Sequence, residues 1–148
     1  MRPAAPPAVV PRPSGISRTP PTAFQIGHYG RVLKWEQVTV DARDPVSLGY
    51  WWAHALGWVV VNDDPDEFEI RSAPDHFPGL LFALVPEDKS GKNRLHLDFR
   101  PDDRAGEVAR LISLGANRVD VGQGEPSWIV LADPEGNEFC VLRSDRDA

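Results

Sequence analysis

The segment LADPEGNEFCVL, residues 131–142, carries the pattern that decides the fold. Its apolar ends predict short strands at 128–132 and 138–142, and the Asp, Pro, Gly and Asn between them favour a tight turn. The residues GNEFC at 136–140 match GLLFA at 79–83, which lies 57 residues earlier in the chain. A strand that recurs together with its preceding glycine indicates an internal duplication.

Landmarks further from this segment repeat at nearly the same distance. Asp44 and Asp102 each stand where a helix is predicted to begin, and they are 58 residues apart. Gln37 and His96, on the strands before those helices, are 59 residues apart. Separations that drift by one residue at a time predict two copies of one structural module.

Each copy begins with a strand of alternating apolar and polar residues and continues into a helix with an acidic N-cap. The first helix begins after Asp44 and ends at Gly57, and the second ends at Gly115. Three further short strands follow each helix. The predicted fold class is therefore α+β, with two βαβββ modules (about 34–86 and 93–143) that form a cupped mixed sheet with the helices outside.

The 148 residues fall into two regions of different composition. Residues 1–31 are rich in proline, which removes backbone donors, and they carry too little apolar surface to offset the entropy of ordering. We expect a Pro-rich disordered tail over 1–31. Residues 32–148 form one folded domain, long enough to bury a core.

The composition excludes several classes of partner. A formal net charge of −6 argues against nucleic acid, whose binding depends mainly on basic residues. No apolar run approaches the roughly 20 residues that span a bilayer, so we expect no membrane segment. The single cysteine, Cys140, cannot form an internal disulfide, and the N-terminus lacks the apolar stretch of a secretory signal. We expect a cytoplasmic protein.

Strand alternation assigns candidate site residues without reference to any relative. If Leu95, Leu97 and Phe99 pack under the second helix, then His96 and Asp98 face the opposite way. The same alternation in the other strands collects one group of side chains on a concave face: Gln37, Thr39, His96, Asp98, Glu138 and Cys140. We predict that this face is the floor of a small-molecule pocket.

Three of the candidate residues carry distinct chemistry. Trp128 stands at the start of a strand beside a Gly- and Pro-containing loop, where an indole ring suits stacking on a flat ligand. His96 is the best candidate for a catalytic base, or it is a structural histidine hydrogen-bonded to Asp98 or Gln37. Cys140 is either a ligand contact or a small buried residue.

Four strings of the chain resemble the vicinal-oxygen-chelate superfamily, which includes glyoxalase I, bleomycin-resistance proteins and extradiol dioxygenases. They are VTVDARDP at 38–45, ALGW at 55–58, NRLHLDF at 93–99 and the segment 131–142. The chain is most similar to small glyoxalase-like domains of unassigned activity. The resemblance implies two modules that form the halves of a cup, and members of this superfamily commonly pair, so we expect a homodimer.

The resemblance also implies up to four metal-ligand positions, which here are Gln37, Ala83, His96 and Cys140. Ala83 and Cys140 depart from the pattern because glyoxalase-type members have carboxylates there. A divalent ion used as a Lewis acid favours carboxylate or imidazole ligands. We expect no cofactor; a metal, if bound, is zinc or nickel held weakly by Gln37, His96 and Cys140.

These observations predict a small-molecule-binding protein that sequesters or senses a small planar metabolite or antibiotic without a metal. The alternative is a glyoxalase-type lyase or isomerase that uses His96 as base or metal ligand. A third possibility is a structural protein whose Pro-rich tail contacts a partner. The predicted ligand-binding residues are Gln37, Thr39, His96, Asp98, Trp128, Glu138 and Cys140.

Overall fold

The structure, a computed structural model, describes residues 33–122 and 127–144. The first module contains β1 (Gln37–Ala42), α1 (Pro45–Leu56), β2 (Val59–Asp63), β3 (Glu67–Arg71) and β4 (Gly79–Leu84). The second contains β5 (Asp98–Phe99), α2 (Arg104–Ser113), β6 (Asn117–Arg118), β7 (Ile129–Ala132) and β8 (Glu138–Val141). The predicted α+β class and the two βαβββ modules are confirmed. The tail predicted over 1–31 lies outside the described residues.

Helix α1 begins and ends where the sequence predicts. The carboxylate of Asp44 accepts hydrogen bonds from the Ser47 backbone N–H at 3.0 Å and from the Ser47 hydroxyl at 2.7 Å. Pro45 occupies the first turn, where its missing N–H costs nothing. Gly57 ends the helix with φ +66°, a left-handed conformation that glycine adopts without strain.

The strands form two separate four-stranded sheets with the same topology, β1-β4-β3-β2 and β5-β8-β7-β6. The first strand of each module pairs in parallel with the last, and the other pairs are antiparallel. The predicted single cupped sheet is therefore two sheets, in which β1 and β5 are both edge strands. The linker between β4 and β5 belongs to neither sheet.

An aromatic cluster joins the first helix to the second module. The rings of Trp52 and Phe139 lie 5.0 Å apart between centroids, and Phe99 is 5.8 Å from Trp52. Trp52 and Phe139 are both buried, as the alternation of β8 and the helical spacing of α1 predict. The Trp52 indole N–H donates to the Asp133 carboxylate at 2.9 Å. This cluster and its buried hydrogen bond fix the two modules against each other.

The strand predicted at 94–100 is shorter than expected. Only β5 is extended and paired, so His96 lies just before a strand and not on one. The ladder to β8 begins at Leu97, whose carbonyl accepts from the Cys140 N–H at 2.9 Å. Leu97 and Phe99 pack against the core, but the prediction for Leu95 was wrong because its side chain is 88% exposed. With no pairing before Leu97, strand alternation does not fix the direction of Leu95.

Within the described part of the chain, no helix has the length and hydropathy needed to cross a membrane.

Candidate functional site

A cavity of about 460 Å³ lies on the face of the second sheet opposite its helix. We call it the module-two cavity. Five of the seven predicted ligand-binding residues line it: His96, Asp98, Trp128, Glu138 and Cys140. They meet because β5 and β8 are parallel neighbours with Asp98 opposite Cys140, so residues of one alternation phase share a face.

A compact polar cluster forms the floor of this cavity. The Nδ1 atom of His96 lies 2.9 Å from an oxygen of Asp98 and 3.6 Å from the sulfur of Cys140. A carboxylate only accepts hydrogen bonds, so Nδ1 donates its proton to Asp98 and the neutral ring leaves Nε2 as an acceptor. The expected hydrogen bond between His96 and Asp98 is therefore present, and it orients the imidazole.

Cys140 is held as a neutral thiol. Burial, together with a hydrogen bond to Asp98 and the charge of that carboxylate, raises the pKa of Cys140 to about 11. The thiolate is the nucleophilic and metal-binding form of cysteine, so this environment disfavours both roles at neutral pH. The geometry favours a small packing residue that contributes a weak hydrogen-bonding group to the floor.

Glu138 lines the cavity, but its carboxylate is engaged by the linker between the modules. It pairs with the Lys89 ammonium at 3.0 Å and accepts from the Asn93 backbone N–H at 3.0 Å. Burial alone raises the pKa of Glu138, but these hydrogen bonds outweigh burial and lower it. Glu138 therefore fastens the linker over β8, a role that sequence alternation could not reveal.

We expect Glu138→Gln to lower the free energy of unfolding by about 1 kcal/mol at neutral pH, since it loses charge-assisted hydrogen bonds. The pKa of Glu138 is lower in the folded state, so its contribution is present above the unfolded pKa and is lost as the pH falls through the folded pKa. Urea titrations at neutral and acid pH should show a difference that shrinks on acidification. Glu87→Gln, in the same linker but exposed, is the matched control; an equal loss at both pH values would contradict the assignment.

Gln37 and Thr39 are not brought into the module-two cavity. Thr39 lines a second cavity of about 680 Å³, which lies between β1, the linker and the second module, and which we call the inter-module cleft. Gln37 lines neither of them. The two residues stand apart because β1 and β5 are edges of separate sheets, so their concave faces are not continuous. His96 contributes to the walls of both cavities.

Trp128 stands at the rim of the module-two cavity with its side chain 40% exposed. The loop expected beside it includes residues 123–126, which lie outside the described residues. Sequence reasoning missed the apolar wall that Val130 and Leu142 supply, although both follow the alternation that placed Cys140. It also missed Lys92 and Asn93, because linker residues carry no periodic signal.

The four metal-ligand positions implied by the resemblance do not fit a metal here. Ala83 offers no donor atom, and Gln37 lies outside the cavities that His96 lines. The thiol of Cys140 holds its proton, whereas a metal ligand must release it. His96, Asp98 and Cys140 do place three possible donor atoms within 4.8 Å of one another, so Asp98 replaces Gln37 in the only compact cluster found among the described residues.

Comparison with known proteins gives one family and a set of similar folds. The family model described as "Glyoxalase-like domain" matches residues 37–142. A glyoxalase/bleomycin resistance protein/dioxygenase family enzyme from Burkholderia phytofirmans PsJN is 18% identical, with a TM-score of 0.58 over 72% of this chain and 94% of that one. A possible glyoxalase from Bacillus cereus is 16% identical, with a TM-score of 0.55 over 75% and 99%.

A third similar structure is a bleomycin resistance determinant encoded on the transposon Tn5. It is 18% identical, with a TM-score of 0.51 over 76% of this chain and 99% of that one. None of the curated proteins matches the chain. Identities this low show a shared fold and carry no further inference about activity.

Proposed function

The chain belongs to the glyoxalase-like domain family, and from this premise we propose that it binds a small flat molecule in the module-two cavity and sequesters or senses it without a metal. The observation that carries the proposal is the pairing of an exposed indole ring with an oriented polar cluster. Trp128 offers a stacking face at the rim, and His96 and Asp98 offer directed hydrogen bonds on the floor. A few convergent polar groups in a partly apolar cavity are typical of small-molecule sites.

The size of the cavity supports a small ligand. At about 460 Å³ it falls within the roughly 300–1,000 Å³ range of small-molecule pockets. Val130 and Leu142 supply apolar contact for a ring, and Lys92 places a cation on the wall. A planar aromatic molecule with one acidic or hydrogen-bonding substituent matches these groups.

Sequestration or sensing fits the chemistry of the floor better than metal-assisted catalysis does. The thiol is neutral, and the glutamate that lines the cavity is already bound to the linker. An antibiotic belongs among the candidate ligands because one protein of similar fold is a bleomycin resistance determinant. The expected homodimer and cytoplasmic location stay predictions.

A second candidate function is favoured by the His96–Asp98 pair. A carboxylate that orients one imidazole nitrogen leaves the other free to accept a proton, as in many general bases. A lyase or isomerase of glyoxalase type could use this pair to move a proton on a carbonyl substrate. His96 would be the catalytic residue and Asp98 the positioning residue.

We expect tryptophan fluorescence titrations with bleomycin and with flat aromatic acids such as salicylate and quinaldate to give saturable binding of one molecule per chain. Trp128→Ala should weaken that binding by about tenfold, because one aromatic stacking contact is worth roughly 1.4 kcal/mol. Trp35→Ala, which removes an exposed tryptophan outside this cavity, is the matched control and should leave the affinity unchanged. Absence of saturable binding across the panel would contradict the proposal.

Mass spectrometry of the same mixtures separates the two functions. Recovery of unchanged probe supports sequestration or sensing. Formation of product, lost in His96→Ala while the variant keeps its unfolding transition, would favour the lyase or isomerase. A His96→Ala variant that fails to fold would identify His96 as a structural residue.

A further inference from the structure

We propose that the inter-module cleft is a second binding site, which takes an uncharged, mainly apolar aromatic molecule independently of the module-two cavity. The cleft lies between β1, the linker and the second module, and its volume is about 680 Å³. Cavities of roughly 300–1,000 Å³ bury most of the surface of a drug-sized ligand. The cleft is therefore large enough for a molecule of two or three fused or linked rings.

Apolar side chains from both modules form the inner walls. Val38 and Val40 line it from β1 and Trp52 from α1, and the second module contributes Leu97 and Phe139. These groups belong to or pack against the core, so their positions are fixed by packing. A rigid apolar wall of this kind favours a ligand that is bound through its body.

Two large apolar side chains at the cleft are exposed. Trp35 is 67% exposed and Leu95 is 88% exposed, and both line the cleft. The indole N–H of Trp35 donates to the Gln37 carbonyl at 3.3 Å, which holds the ring beside β1. Single exposed apolar residues are common, but two at one concave opening form the kind of apolar patch that marks a binding site.

The charges around the cleft favour an uncharged ligand. Arg43 is paired with Asp88 at 3.0 Å, and Lys89 is paired with Glu138. The buried Asp133 carboxylate accepts several hydrogen bonds of its own. Within the described residues, the lining side chains without a charged partner are of both signs and exposed: Asp41, Glu87 and Arg94. Solvated charges of mixed sign give no net attraction for a charged group.

The test uses two fluorescent probes of similar shape, uncharged N-phenylnaphthylamine and its anionic analogue anilinonaphthalene sulfonate, titrated into the full chain. We expect saturable binding of one uncharged probe per chain, with the anion bound at least tenfold more weakly. Trp35→Ala should weaken the uncharged probe by about tenfold, since a stacking ring is lost. Trp128→Ala, the matched change at the module-two cavity, should leave this affinity unchanged.

Each other outcome overturns the proposal. Equal loss in both tryptophan variants, or loss in Trp128→Ala alone, would place the probe in the module-two cavity. Absence of saturable binding, or stronger binding of the anion, would exclude the assigned ligand class. Leu95→Asp provides a second variant at an exposed position, where folding is retained, and unchanged probe affinity in it would also count against the cleft. Because the two cavities have separate variants and probes, failure here leaves the proposed function standing.

Discussion

Replacing Asp133 with alanine is expected to lower the free energy of unfolding by about 4 kcal/mol, because several buried donors then lose their acceptor at once. Asp133 is 2% exposed. Its carboxylate accepts from the Trp52 indole at 2.9 Å and from the backbone N–H groups of Glu135 and Asn137 at 2.9 and 3.0 Å. The Asn137 amide also donates to both carboxylate oxygens. One side chain thus holds the β7–β8 turn and connects it to α1.

A graded pair of variants tests this account by guanidinium denaturation. Trp52→Phe keeps an aromatic ring in the cluster but removes one donor, so it should cost only about 1–2 kcal/mol. Asp133→Asn has the same shape but presents an N–H₂ group to donors, and it should remain close to the alanine variant. A loss below about 1 kcal/mol in Asp133→Ala would show that water replaces the carboxylate and that the site is open.

The turn that contains Asp133 was predictable, but the role of Asp133 was not. Local breakers predict a turn at 133–137, and the structure has one between β7 and β8. The acceptor role depends on Trp52, which is 81 residues away in the sequence and belongs to the other module. A single sequence gives no information on such a pair, because neither residue follows a pattern that includes the other.

The candidate site shows the same division between local and long-range information. Alternation correctly puts His96, Asp98 and Cys140 on one face, because the residues of a paired strand obey a period of two. It fails for Leu95, where the ladder to β8 has not begun. It also joins Gln37 to this face, although the first sheet ends at β1 and the linker fills the space between the modules.

The relative placement of the modules therefore decides which residues share a cavity. Duplication predicts each module, since both copies carry the same capped helix and the same parallel pair of strands. It does not predict the cleft between them, whose shape depends on the linker contacts of Lys89 and Asn93 with Glu138. His96, which lies beside this linker and before the paired part of β5, consequently borders two cavities where the sequence predicts one.

Packing within the first module supplies the second large expected effect, in the variant Gly49→Ala. Gly49 lies in the middle of α1 and is buried against β3. In an exposed helix this substitution would gain about 1 kcal/mol of helix propensity. Here a Cβ atom would lie 2.0 Å from the Phe68 ring, far inside van der Waals contact. Phe68 is fully buried and cannot move aside, so the two effects have opposite signs.

We expect the steric cost to win, with a net loss of about 2 kcal/mol in the free energy of unfolding, since overpacking a tight core costs up to about 3 kcal/mol and propensity returns about 1. The double variant Gly49→Ala/Phe68→Leu isolates the contact. If the clash with the ring is the cause, Gly49→Ala should cost less in the Phe68→Leu background than in the wild type. Equal costs in both backgrounds would show that α1 shifts to accommodate the methyl group. A stabilised single variant would show that the helix lies further from β3 than the structure has it.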